Sequence, residues 1–137
     1  MIREFNIKDI KDINEIGSLI KSDFVEKYSI PEILNYEYSK IFVYDDLCIK
    51  GFIQIEKHFE IIDIINIAVK EDFQHLGIGE ALINFIISNY NVEKIMLEVR
   101  ESNVKAINFY KKNGFIEINR RKKYYGNEDA IIMERSI

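Results

Sequence analysis

The chain has no tryptophan, one proline, one cysteine and two histidines among its 137 residues. Each shortage excludes something. A lone cysteine, Cys48, allows no internal disulfide and fits a reducing compartment. It falls in an expected strand, where a small buried hydrophobe is the ordinary reading. His58 and His75 have no Cys or His partner at metal-ligand spacing, so no metal is expected. One proline and six glycines are too few for a linker or a low-complexity tract. No apolar run approaches the roughly 20 residues that span a bilayer. The opening Met-Ile-Arg-Glu-Phe-Asn has neither the apolar core nor the small-residue cleavage site of a signal peptide, so a cytoplasmic protein is expected. A surplus of cations is missing too: the net charge is −4, which argues against a general nucleic-acid binder. The one basic cluster, Arg120-Arg121-Lys122-Lys123, reads either as a solvated strand end or as a patch for an acidic partner or cofactor phosphate.

What is present describes an ordinary globular chain, 47% hydrophobic and 31% charged, and one domain over 1–137 is expected. Ile2 to Phe5 reads as a strand. Asn6 can cap a helix with an isoleucine stripe at Ile7, Ile10, Ile13, Ile16 and Ile20. Ser29-Ile30-Pro31-Glu32 announces a second helix, and the aperiodic stretch before it, Asp23 to Tyr28, reads as a loop. From Lys40 the period changes to two, giving strands over 41–44 and 48–56 around Asp45-Asp46, then a third over 59–69. A helix follows Gly79, a strand covers 94–100 and a helix 103–112. Asn113-Gly114 stops that helix, because glycine takes the left-handed cap conformation without a Cβ clash. Strands over 115–124 and 129–133 close the chain as a hairpin. This order predicts an α/β fold, a mixed and mostly antiparallel sheet with helices on both faces.

The chemistry concentrates first in Ile64 to Gly79, a β-branched strand running into Gln74-His75-Leu76-Gly77-Ile78-Gly79 at the start of a helix. The first amides of a helix lack intrahelical partners and sit at its positive end. Two glycines let an anion approach the backbone, so the stretch reads as a diphosphate cradle. A Walker loop would need Gly-Lys before Ser or Thr, and Gly79 precedes Glu80-Ala81. A dinucleotide fingerprint would need glycine at Leu82. What remains, Gln-x-x-Gly-x-Gly after Ile-Ala-Val, resembles the acetyl-CoA signature of the GNAT superfamily of N-acetyltransferases. Leu97-Glu98-Val99-Arg100-Glu101-Ser102-Asn103, Ala106 to Tyr110, Asn113-Gly114-Phe115 and the ending from Arg120 to Met133 are similar to its ribosomal-protein alanine N-acetyltransferase branch.

The resemblance implies a sheet with a splayed parallel strand pair holding acetyl-CoA as co-substrate. Ile67, Ala68 and Val69 would bond the pantetheine arm, and the amide at the Val69 end would polarise the thioester carbonyl. Gln74, His75, Leu76, Gly77, Ile78, Gly79 and Glu80 would surround the diphosphate, with Asn103 at the arm. His75 and Glu80 depart from the branch, which often has arginine there. Glu98 is the candidate general base, in surroundings expected to be apolar, which would raise a carboxylate's pKa; its ordinary alternative is a charge on a solvent-facing strand. Tyr110 is the candidate acid, alternatively an aromatic packing residue. Tyr124, Tyr125, Glu128 and Asp129 would grip an acceptor peptide or simply pack the hairpin. The implied acceptor is a protein N-terminal α-amino group. A small amine, such as a polyamine or amino sugar, is the alternative, and a non-catalytic CoA-binding module a further one. The branch usually carries a proline-tryptophan pair early in the chain, which this sequence lacks.

Overall fold

The computed structural model describes residues 1–20, 24 and 37–137. Among the described residues seven strands form one sheet in the order β1-β2-β3-β4-β5-β7-β6. They are β1 Ile2–Glu4, β2 Ser39–Asp45, β3 Ile49–His58 and β4 Ile61–Val69, then β5 Lys94–Arg100, β6 Ile116–Arg121 and β7 Ala130–Ser136. The helices named here are α1 (Ile10–Ile20), α2 (Ile78–Asn89) and α3 (Val104–Lys112). Every neighbouring strand pair is antiparallel except β4 and β5. This is the mixed α/β sheet expected. The helix expected from Ser29 and the loop over 23–28 lie outside the described residues, apart from Phe24.

Alternation along the strands supplies two cores. On one face Ile13 and Ile16 of α1 pack with Phe24, Ile41, Val43, Phe52 and Ala68. On the other, Ile78, Leu82, Ile83 and Ile86 of α2 pack on Phe42, Ile53, Ile62, Ile64, Ile95, Leu97 and Val99. Burying each such side chain is worth about 1.5–3 kcal/mol. Asn6 caps the chain's entry to α1 as expected, accepting from the Lys8 amide at 2.9 Å while the Asp9 carboxylate accepts from the Asn6 amide at 2.8 Å. Arg3 clasps Asp9 at 2.8 Å and Asp45 at 3.0 Å, and its guanidinium holds the Asp9 carboxyl below the usual range. The isoleucine stripe is shorter than expected. Ile7 belongs to a single 3-10 turn, Ile7–Asp9, and is 77% exposed.

The turns account for the other departures. Cys48 is exposed, not a buried strand residue. Asp45 pairs with Ile49 and Leu47 is left-handed (φ 66°), so the β2–β3 turn runs one residue further and excludes Cys48 from the ladder. Phe59 likewise sits outside β4, left-handed at φ 57° and 91% exposed. β6 ends at Arg121 because Lys123 and Gly126 turn the chain with positive φ and the Asp129 carboxylate takes the Lys123 amide at 2.9 Å.

The feature that positions the site is in β4. Gln54 faces Asn66 and Ile55 faces Ile64, so Ile65 is an extra, unpaired residue in the β3–β4 ladder. A bulge of this kind bends its strand. The parallel pairing of β4 with β5 ends at the same place, at Ile64 opposite Leu97. Past it β4 continues to Val69 and β5 to Arg100 with no ladder between them.

Candidate active site

The splayed strands open a cleft of about 1040 Å³, lined on one side by the glycine loop and α3 and on the other by Asn66, Glu98, Arg100 and Tyr125. The β4 and β5 edges that face it have no strand to pair with, an arrangement that leaves backbone donors and acceptors for a polar, extended ligand. Asn66 stands at the root, buried, donating to the Gln54 carbonyl at 2.9 Å across the β3–β4 pair.

The loop between β4 and α2 is shaped by two left-handed residues, His75 (φ 64°) and Gly77 (φ 83°). Gly77 is the residue before α2, and a Cβ placed on it would meet nothing within 4 Å. The first amide to find a partner in the helix is Ala81, onto the Gly77 carbonyl at 2.9 Å. Those of Gly77, Ile78, Gly79 and Glu80 precede it and have no intrahelical acceptor. Open space in front of ordered amides at a helix's positive end fits a diphosphate. Gly79 has a different reason: a Cβ there would lie 2.9 Å from the Phe109 ring, so glycine lets α2 approach α3.

The structure brings the residues expected for a cofactor together. Ile67, Ala68, Val69, Gln74, His75, Gly77, Ile78, Gly79, Glu80 and Asn103 all line the cleft. Leu76 is the exception; its side chain is 69% exposed and outside the lining. Glu80 is exposed at the rim, where water screens its charge. Asn103 caps α3, accepting from the Ala106 amide at 3.2 Å. Lys105, also in the lining, was not among the residues singled out from the sequence. Lys105 donates to the Gln74 carbonyl at 2.8 Å, and the Gln74 amide donates to Val69 O at 3.1 Å.

The two candidate acid–base groups enter the cleft from opposite faces of the sheet. Ile95, Leu97 and Val99 of β5 belong to the α2-side core, so Glu98 faces the α1 side. Tyr110 comes from α3 and packs against the α2-side core, edge-on to Phe109 and Phe115 with centroids 5.5 and 5.8 Å away. Burial pushes its phenol up to about 12. Its hydroxyl has no protein hydrogen-bond partner among the described residues, yet it is not sealed from solvent. The apolar surroundings expected for Glu98 are not found. Its side chain is 31% exposed, and the Arg121 guanidinium stands 3.4 Å away.

The hairpin side of the cleft is a lattice of ion pairs. Arg100 stacks on Tyr125 at 4.0 Å and pairs with Glu128 at 3.6 Å. Glu128 accepts from the Ser102 hydroxyl at 2.8 Å, a bond that holds its carboxyl below the usual range. Asp129 is held low by the Lys123 amide and by Lys122. Within the basic cluster, Arg120 pairs with Glu117, Glu101 and Asp129, Arg121 with Glu98 and Lys122 with Asp129. These cations answer carboxylates of the chain itself. Tyr125 lines the cleft, whereas Tyr124 is 53% exposed outside it. Among the described residues no group of three or more His, Cys, Asp or Glu side chains could hold a metal, and no helix is long and apolar enough to cross a membrane.

A parallel strand pair forced apart beside an anion-cradling helix start is the arrangement that the resemblance to acetyl-CoA-dependent N-acetyltransferases implies. The comparisons narrow it. The GNAT acetyltransferase domain model matches residues 37–117, and the chain belongs to that family. An N-alpha-acetyltransferase of Sulfolobus acidocaldarius is 31% identical over 95% of this chain and 90% of its own. The [ribosomal protein bS18]-alanine N-acetyltransferase of Escherichia coli is 44% identical, over 51% of this chain and 52% of its own. The chain therefore spans about half the length of some of the relatives it matches and nearly all of others. Among solved structures, Ard1 from Thermoplasma volcanium superposes with a TM-score of 0.86 at 30% identity, covering 100% of this chain and 97% of that one. A Bacillus anthracis structure with a TM-score of 0.82 and 24% identity, covering 100% of this chain and 99% of that one, shares the fold and was solved in complex with acetyl coenzyme A.

Proposed function

We propose that the chain transfers an acetyl group from acetyl-CoA to a primary amine, preferentially the α-amino group of a protein N-terminus, by direct attack in a ternary complex. The observation that carries this reading is the opening through the sheet, with Glu98 presented on the α1 side and Tyr110 on the α2 side. Donor and acceptor can enter such an opening from opposite faces and meet without a covalent enzyme intermediate. The relatives named as N-alpha-acetyltransferases support the choice of acceptor.

Bound acetyl-CoA supplies an activated thioester carbonyl and a sulfur leaving group. The amides of Gly77 to Glu80 hold its diphosphate, and the unpaired edge of Ile67 to Val69 aligns its arm. An amine arriving at neutral pH is protonated, and the Glu98 carboxylate takes that proton directly or through one water. Tyr110 keeps its proton at Oη throughout the neutral range, because its phenol is raised to about 12. Against a thiol of about 8.5, complete transfer from Oη is uphill by about 5 kcal/mol in those terms. Tyr110 therefore acts first as a hydrogen-bond donor towards the sulfur.

Thiol release from acetyl-CoA, measured against peptides differing at residue one with spermidine and an amino sugar alongside, tests the proposal. Turnover of peptides, with loss of rate in Glu98→Gln and Tyr110→Phe and retained cofactor binding, is the expected result. Turnover of the small amines alone would replace the acceptor, and cofactor binding without turnover of any acceptor would point to a CoA-binding module.

A further inference from the structure

We propose that Lys105 is a diphosphate-binding residue, a cation delivered to the glycine loop from α3 and aimed there by Gln74. The inference rests on the acetyl-CoA reading above and adds to it a side chain that the loop signature does not contain.

The loop's own side chains bring no lysine or arginine to the cradle. Between Gln74 and Glu80 the ionisable groups are an imidazole and a carboxylate, His75 and Glu80. Amides at a helix start carry only partial charge, so a diphosphate seated there still calls for a full cation. Among the described residues the lining of the cleft contains three: Arg100, Lys105 and Lys112. Arg100 is committed to Glu128 and Tyr125. Lys112 stands in the last turn of α3, seven residues and about 10 Å along the helix from Lys105. Of these three, Lys105 is the one that bonds a residue of the loop, Gln74.

Gln74 fixes how it does so. A backbone carbonyl can only accept, so the bond to Val69 O must come from the Gln74 Nε2 and leaves the Gln74 Oε1 pointing away. Lys105 Nζ donates to that oxygen at 2.8 Å. The ammonium has three protons, and this contact uses one. Its partner is neutral, and among the described residues Lys105 has no carboxylate within ion-pair distance, unlike Lys50, Lys94 and Lys122. A charge placed by a neutral amide keeps its attraction for an incoming anion. The Val69–Gln74–Lys105 chain also joins the end of β4, the loop and α3, so the cation is set at a fixed place relative to the free amides. Tyr110 lies five residues further along α3, about 7.5 Å, which separates a phosphate end of the helix from a sulfur end.

The alternative is a strut: Lys105 would brace Gln74 and nothing else. Calorimetry with CoA and ligand-observed NMR with pantetheine, which lacks the phosphates, separate the two for the wild type, Lys105→Met and Lys105→Arg. Lys105→Met should weaken CoA about tenfold, leave pantetheine within about twofold and make CoA binding less sensitive to salt, and Lys105→Arg should retain most of the affinity. Equal weakening of both ligands would identify a strut and overturn the proposal, as would an unchanged CoA affinity. If the wild-type chain binds no CoA, the underlying reading fails and this inference with it.

Discussion

The two sides of the cleft are made of different material. The cofactor side is backbone: amides of a helix start, an unpaired strand edge, and glycines used once for a left-handed turn and once for a close approach. The Glu98 side is side chains: a carboxylate under a guanidinium, an arginine stacked on a tyrosine, carboxylates tied to hairpin cations. The difference teaches where tolerance lies. Backbone sites depend on a few positions that admit no Cβ or no change of φ, whereas ion-pair lattices spread their energy over partners of which each exposed pair is worth about 1 kcal/mol or less.

The sharpest way to break this comparison is at its one proposed chemical group on the side-chain side. Glu98→Gln should lower kcat about 100-fold, equivalent to about 2.7 kcal/mol in the barrier, with CoA affinity unchanged by calorimetry. Retained rate would mean that the lattice of ion pairs serves only the fold.

Tyr110 stands between the two materials, and its titration tests how dry the junction is. Its folded pKa is raised from 10 to about 12, so the stability it contributes is complete below about pH 10 and is lost as pH rises through about 12. Two units set an upper bound of about 2.7 kcal/mol on that loss, lowered by the hydroxyl's contact with water. Chemical denaturation from pH 9 to 12 should show the decline, and Tyr110→Phe should flatten it. An equal decline in the variant would assign the effect to other groups.

The smallest effect is expected at Gly77. No atom opposes a Cβ there, so Gly77→Ala isolates the backbone cost of φ 83°, about 1 kcal/mol of stability. CoA affinity should fall with it, because the loop amides move when φ relaxes. A variant as stable and as tight as the wild type would show the cradle to be adaptable.

The same division explains what could be read before the fold was known. The strand Lys94 to Arg100, the loop from Gln74 to Gly79 and the glycine stop of α3 were legible because local geometry demands particular residues at each. Cys48 and Phe59 were misplaced because a turn one residue longer changes membership of a strand without changing its hydrophobic pattern. The surroundings of Glu98 were not legible at all. Arg121 reaches it from β6, across β7, and such a pairing depends on the register of a hairpin rather than on spacing along the chain. Lys105 was hidden for the same reason, since its partner is 31 residues away.

Ile65 adds one residue to β4, and in doing so shifts the strand's reading frame. Ile62 and Ile64 belong to the core under α2, but beyond the bulge it is Ile67 and Val69 that pack there, while Ala68 joins the core under α1. Even positions serve one face before the bulge and the opposite face after it. Were Ile65 kept and seated in the ladder instead of bulging, one parity would run along the whole strand, sending Ala68 into the α2 core and Ile67 into the α1 core. A single backbone unit thus sets both the size of the doorway and which side chains stand on each side of it.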